Sequence, residues 1–178
     1  TPNGGNLFHL AAQNPSVDMI TFIGVYFSVY DTDDNGFTPM ELAACRNTNP
    51  GVYEELLRFQ KAENFFAVAL NEKPAMMEFM LSHGCDPNME NAKFSRPIFC
   101  VAQNNSNPEV MQLLINAGAI LNVKDLWGRN VAHYAAANKE SAIYDFLKEK
   151  YSNEIDFDAG DEDGKRPEDY KISPDLFK

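Results

Sequence analysis

One arrangement recurs along this chain and constrains its fold more than any other feature. The clearest copy runs from Asn122 to Lys148, NVKDLWGRNVAHYAAANKESAIYDFLK. Asp125 to Gly128 reads as a turn. A short helical pattern follows, with Ala132, Ala135 and Ala136 on one side. Asn138 to Glu140 interrupts it, and a second helical pattern carries Ile143, Phe146 and Leu147. With Asn130 as reference, equivalent positions are Arg96, Asn64, Thr38 and Asn6 upstream and Arg166 downstream. The successive intervals are 32, 26, 32, 34 and 36 residues. Four of the five lie close to a period of about 33.

Matching offsets carry matching chemistry. The first helices read NLFHLAA (Asn6–Ala12), TPMELAA (Thr38–Ala44), NFFAVAL (Asn64–Leu70), RPIFCVA (Arg96–Ala102) and NVAHYAA (Asn130–Ala136). The second helices pair Tyr53 with Leu57, Met77 with Leu81, Met111 with Ile115 and Ile143 with Leu147. Residues four apart share a helix face, so each unit offers one apolar stripe. The alanine pairs let neighbouring helices approach closely. One such unit cannot bury its stripe, whereas a stack can.

The pattern resembles the ankyrin repeat family, whose motif runs Asp-x-x-Gly-x-Thr-Pro-Leu-His-x-Ala-Ala into a second helix ending Leu-Leu-x-x-Gly-Ala-x-x-Asn. Residues 33–44 (DDNGFTPMELAA) carry the first half; residues 80–88 (MLSHGCDPN) and 114–122 (LINAGAILN) carry the second. The resemblance implies an all-α solenoid of stacked helix–turn–helix units with hairpin-like finger loops. It places one domain over residues 1–178, with repeats at about 3–30, 33–59, 62–88, 94–122 and 125–150 and a partial repeat at 161–178. Departures are visible. Only His9 and His133 keep the motif histidine; Glu41, Ala67 and Phe99 replace it. The 26-residue interval shortens the hairpin before Asn64, which predicts a notch in the finger row. The 36-residue interval, with acidic residues from Asp156 to Asp163, predicts an extended last hairpin.

Composition excludes several classes. The formal net charge is −11. Such a surface repels phosphate backbones, so nucleic acid is not the expected ligand, and a basic protein partner is favoured. No apolar run reaches the ~18 residues of a membrane span. Met19 to Val29 reads as a buried second helix, with Ile20, Ile23 and Phe27 on one face. Thr1-Pro2-Asn3 shows no signal-peptide pattern and no initiator Met, so the chain is expected to be a piece of a longer protein. Cys45, Cys85 and Cys100 are odd in number and widely spaced, which points to a reducing compartment, cytoplasm or nucleus. The unit is expected to be monomeric.

Several motifs that could carry chemistry have plainer readings. Asp31, Asp33, Asn35 and Gly36 fit the first half of a calcium loop, but position 12 is Leu42 and position 9 is Pro39. A finger hairpin accounts for the same residues without metal. His83-Gly84-Cys85 offers two ligands and no second pair, so it reads as a helix-ending turn around Gly84. Met76, Met77 and Met80 at helical spacing read as core rather than an adaptable binding face. His9, His83 and His133 sit in different repeats, so no nucleophile–base pair is indicated. No cofactor, metal or catalytic residue is expected.

The resemblance implies a protein–protein interaction module whose partner lies along the finger tips and first helices. Carried over by position, the tips are Asp34, Asn35, Phe37, Phe94, Leu126, Trp127, Arg129, Glu162 and Lys165. The positions after the small pairs include Cys45, Arg46, Asn71, Glu72, Gln103, Asn104 and Asn138. From these, Asp34, Phe37, Arg46, Glu72, Phe94, Gln103, Trp127, Arg129 and Asn138 are the expected partner-binding residues. Aromatics and arginine dominate interface energies, which favours Trp127, Phe37, Arg46 and Phe94. Two alternatives stand beside this reading. One is a structural segment that positions flanking domains; the other is an aromatic cage for methylated lysine, built around Trp127 and Asp125.

Overall fold

The computed structural model describes residues 3–23, 28, 30–58, 65–91 and 95–172. Among them are eleven helices and no strands, the all-α class that the periodicity predicts. Asn64, Phe94, the hairpin ahead of Asn64 and the last residues, 173–178, lie outside the described residues. The chain divides into two compact units, Thr1–His83 and Gly84–Lys178.

In the first unit the helices come in consecutive packed pairs. They are α1 (Leu7–Gln13) with α2 (Val17–Ile23), α3 (Pro39–Arg46) with α4 (Pro50–Leu56), and α5 (Phe65–Val68) with α6 (Pro74–Ser82). First helices stack in the order α1, α3, α5, and second helices in the order α2, α4, α6. The second unit repeats the plan with α7 (Pro97–Asn104) and α8 (Pro108–Asn116), then α9 (Val131–Ala137) and α10 (Ala142–Tyr151). There α7 packs on α9, α8 on α10, and a last helix, α11 (Pro167–Ile172), covers α9.

Helices this short are marginal in water, so their ends must be fixed by the sequence. Proline opens α3, α4, α6, α7 and α8, where its missing N–H costs nothing. Asn6, Thr38 and Asn130 cap α1, α3 and α9 through reciprocal boxes with His9, Glu41 and His133. Glu41 thus replaces the motif histidine in its capping role. α5 is one turn long, shorter than the NFFAVAL pattern predicts. Leu70 is already in a turn, and Asn71 donates its N–H back to Val68.

The cores follow from the stripes, with one adjustment. Tyr53, Met77 and Met111 are buried as predicted, but Leu57, Leu81 and Ile115 are only half-buried. Leu56, Met80 and Leu114, one position earlier, fill those places. In these helices the buried pairs four apart are Val52 with Leu56, Met76 with Met80 and Val110 with Leu114, one position ahead of the predicted pairs; in α10 the predicted pair, Ile143 and Leu147, is itself buried. Met76, Met77 and Met80 are core, as are Ile20 and Ile23; Phe27 lies outside the described residues. The 36-residue interval is not spent on a longer finger. Asp161 and Lys165 close the same loop as Asp125 and Arg129. The extra residues lie in α10, ten residues long, and in the turn through Ile155.

Candidate functional site

Each finger among the described residues is closed by one side chain. In the second unit the Asp125 N–H donates to the Arg129 carbonyl at 2.9 Å, and its Oδ1 accepts from the N–H groups of Trp127 and Arg129, each at 2.9 Å. Gly128 completes the turn at φ +75°, and a Cβ there would stand 3.2 Å from the Glu162 nitrogen. The other carboxylate oxygen works inward. Asp125 Oδ2 accepts from Arg129 Nε at 2.6 Å and from the Tyr134 hydroxyl at 2.7 Å. Tyr134 lies flat on Phe99, with ring centroids 4.6 Å apart. Burial pushes the Tyr134 hydroxyl up, and donation to Asp125 adds to the shift. Burial is the strongest single influence and works against the Arg129 charge, but the hydrogen bond to Asp125 and the electrostatic pull of Tyr134, Asp125 and Tyr170 together raise its pKa.

This cluster presents the tip. Leu126 and Trp127 are 58% and 54% exposed. The Arg129 guanidinium carbon sits 4.6 Å from the centre of the Trp127 ring, and the Trp127 carbonyl accepts from the Glu162 N–H at 2.9 Å. The indole thus stands on a fixed finger that is itself bonded to the next.

The next finger repeats the design. Asp161 Oδ1 accepts from the N–H groups of Asp163 and Lys165, and Oδ2 accepts from the Tyr170 hydroxyl. Burial would raise the Asp161 carboxyl, yet these donors hold it below its ordinary value. Burial and that same bond push Tyr170 up to about 12. His133 ties the finger to α9. Its Nδ1 accepts from the Asn130 N–H at 3.1 Å, which leaves the proton on Nε2 to donate to the Lys165 carbonyl at 3.1 Å. Burial lowers the pKa of His133.

In the first unit Asp33 is the clasp, accepting from Asn35 and Phe37. Its carboxyl is held low, first by the Phe37 N–H. Its Oδ1 thus closes the finger of the first unit. His9 repeats the role of His133, meeting the Phe37 carbonyl at 3.0 Å through Nε2. The bridging thus persists in both repeats that keep the histidine.

The expected partner-binding residues fall into three groups. Asp34, Arg46, Glu72 and Trp127 are exposed, and Phe37 and Gln103 are half-buried. Arg46 lies 5.9 Å from the centre of the Phe37 ring and also donates to Gln13 at 3.4 Å. Phe94 lies outside the described residues. Two expectations need correction. Arg129 is not displayed at the tip; it is 8% exposed, because its guanidinium neutralises Asp125 beneath Trp127. Asn138 is not free for a partner. Its Nδ2 donates to the Ala102 and Asn105 carbonyls at 3.0 and 2.8 Å, and its Oδ1 accepts from the Glu140 N–H.

Asn138 belongs to a ladder that positional carry-over missed. Asn47 donates to the Ala12 and Asn14 carbonyls, and Asn71 to those of Ala44 and Asn47. Each asparagine ends a first helix or follows it closely, and each grips the pair before it. The signal was present at Asn47 and Asn71 as asparagine three residues before proline; Asn138 has Ser141 at that spacing and does not carry it.

The sequence profile described as Ankyrin repeats (3 copies) matches residues 65–161. The chain belongs to the ankyrin repeat family. Ankyrin repeats are helical solenoids that generally serve as protein–protein interaction modules and are typically not enzymes. A comparison with curated proteins found no match. The clasped fingers and the asparagine ladder are how this ankyrin chain builds its display surface. Burial pushes the thiols of Cys45, Cys85 and Cys100 up, so they stay protonated and poorly nucleophilic. Among the described residues no group of His, Cys, Asp and Glu could hold a metal ion, and no helix is long and apolar enough to cross a membrane.

Proposed function

We propose that the finger pair of the second unit docks a basic segment of a partner protein. The observation that carries this is the exposed Leu126–Trp127 tip on a rigid, fully hydrogen-bonded base. Large apolar side chains that project from a polar rim mark interaction sites. Preorganisation lowers the ordering cost of binding. Glu162 and Asp163 stand exposed on the neighbouring finger, and the net charge of −11 steers positive partners toward the chain. In the first unit Asp34, Phe37 and Arg46 form a separate tip that can contribute its own contacts. The protein acts as a monomeric adaptor in the cytoplasm or nucleus, consistent with three free, protonated thiols.

No geometry favours an aromatic cage. Arg129 already occupies one face of Trp127, and both Asp125 oxygens are engaged. Trp127 is the only tryptophan, so its emission reports on this tip alone. Titration with lysine- and arginine-rich peptides is expected to shift that emission, less so in high salt. Acidic peptides are expected to leave it unchanged. Capture from lysate by the wild type but not by Leu126→Ser/Trp127→Ala supports a docking tip. Equal capture by both would move the site elsewhere.

A further inference from the structure

The first helix pair exposes positions that its counterparts hide. Leu7, Leu10 and Met19 are 54%, 48% and 44% exposed. Leu10 stands four residues past the reference position Asn6, as Leu42 and Val68 stand past Thr38 and Asn64. Met19 stands five past Asn14, as Val52 and Met76 stand past Asn47 and Asn71. Those four counterparts are each at most 1% exposed. They belong to α3–α6, and each of those pairs packs on the pair before it. Within the second unit Val131, Tyr134 and Ile143 occupy the same three positions and are buried as well.

A second observation points the same way. Asn14 Oδ1 accepts from the Ser16 N–H at 2.9 Å, as Asn47 Oδ1 accepts from Asn49. The Asn47, Asn71 and Asn138 amides each go on to grip two carbonyls of the preceding pair. Asn14 is itself exposed, and its Nδ2 faces solvent with no protein acceptor among the described residues. An apolar trio and an unused donor therefore share one face, in the register that joins neighbouring pairs elsewhere.

We propose that this face docks one further helix–turn–helix unit, tethered on the N-terminal side of the same polypeptide. Its first helix would offer small side chains to Leu7 and Leu10 and two carbonyls to the Asn14 amide. Tethering follows from size. Three half-exposed side chains fall far short of the ~800 Å² per partner of a stable free complex. A linked unit meets the face at an effective concentration in the millimolar range. A second copy that offered its last helix would set exposed Glu168, Asp169 and Lys171 against three apolar side chains.

The test uses the chain's own repeat. Arg166 and Asn6 are equivalent positions, so residues 125–160 joined directly ahead of Thr1 keep the register. Hydrogen exchange of the α1 amides and urea midpoints are compared between the 178-residue chain and this extended form. Exchange in α1 is expected to slow at least tenfold in the extended form. Leu10→Ser and Asn14→Ala are expected to lower its midpoint more than that of the shorter chain, where Asn14→Ala removes only the bond from the Ser16 N–H. Unaltered exchange in α1, or equal effects of the substitutions in both forms, overturns the proposal. So does concentration-dependent association of the 178-residue chain in analytical ultracentrifugation that Leu10→Ser abolishes, which assigns the face to a second copy.

Discussion

Replacing Asp125 by Asn tests the account of the finger most directly. The two side chains are nearly isosteric, and the amide oxygen can still accept from the N–H groups of Trp127 and Arg129. The change falls on the other oxygen, which accepts from Arg129 Nε at 2.6 Å and from the Tyr134 hydroxyl at 2.7 Å. An amide NH₂ there faces two donors, and Arg129 loses its counter-charge. The side chains of Arg129 and Asp125 are only 10% and 3% exposed, so solvent screens little of this. Breaking a buried pair from one side costs about 3–5 kcal/mol. Two charge-assisted hydrogen bonds at ~1.5–3 kcal/mol each give a similar figure, about 3–6 kcal/mol. Against a typical domain stability of ~5–15 kcal/mol this is a large fraction. Urea unfolding followed by Trp127 emission reads the loss where it occurs. The decisive control is Asp125→Asn/Arg129→Met, which removes the stranded charge. It is expected to recover at least about half of the loss, since apolar replacements of buried pairs are often well tolerated. A loss below about 1 kcal/mol in the single variant, or a double variant as unstable as the two singles summed, would refute the reasoning.

Other consequences are simpler to check. His133 is buried with its pKa lowered, so its neutral form is the one that folding favours. That stability is fully present above the unfolded value of about 6.5 and is lost as pH falls toward the folded value. The urea midpoint read at Trp127 is expected to drop between pH 7.5 and 5.5, with a shallower slope in His133→Gln. Asn138→Ala strands the Ala102 and Asn105 carbonyls and the Glu140 N–H. Thermal unfolding is expected to show a loss of about 2–3 kcal/mol, from bonds worth roughly 0.5–1.5 kcal/mol each plus unpaired groups. Trp127→Ala removes one cation–π contact, so circular-dichroism melts are expected to show at most about 1 kcal/mol. Partner capture by that variant is nonetheless expected to fail.

The repeat was readable because periodicity is a property of composition along the chain. The alanine pairs, the prolines that open helices and the tip glycines all announce themselves by residue type. The direction of a polar side chain does not. Arg129 and Asn138 hold the same kinds of positions as Trp127 and Arg46, yet the first pair turns inward and the second outward. What decides is a partner distant in sequence or hidden in a turn: Asp125 for one, the Ala102 and Asn105 carbonyls for the other. The one-residue shift of the stripe at Leu56, Met80 and Leu114 has a similar origin. Those helices end soon after, and the last residue of each predicted pair falls where the chain already turns away or meets solvent.

The asparagine ladder has an evolutionary corollary. Asn47, Asn71 and Asn138 hold their neighbours by main-chain carbonyls, which every amino acid carries. The joint does not inspect the side chains beside it. A duplicated unit can be spliced in without co-adapted partners, and the fingertips can be rewritten while the joints stay as they are. Selection for a new partner and selection for a sound fold then act on different atoms, and a lineage can explore the first without endangering the second.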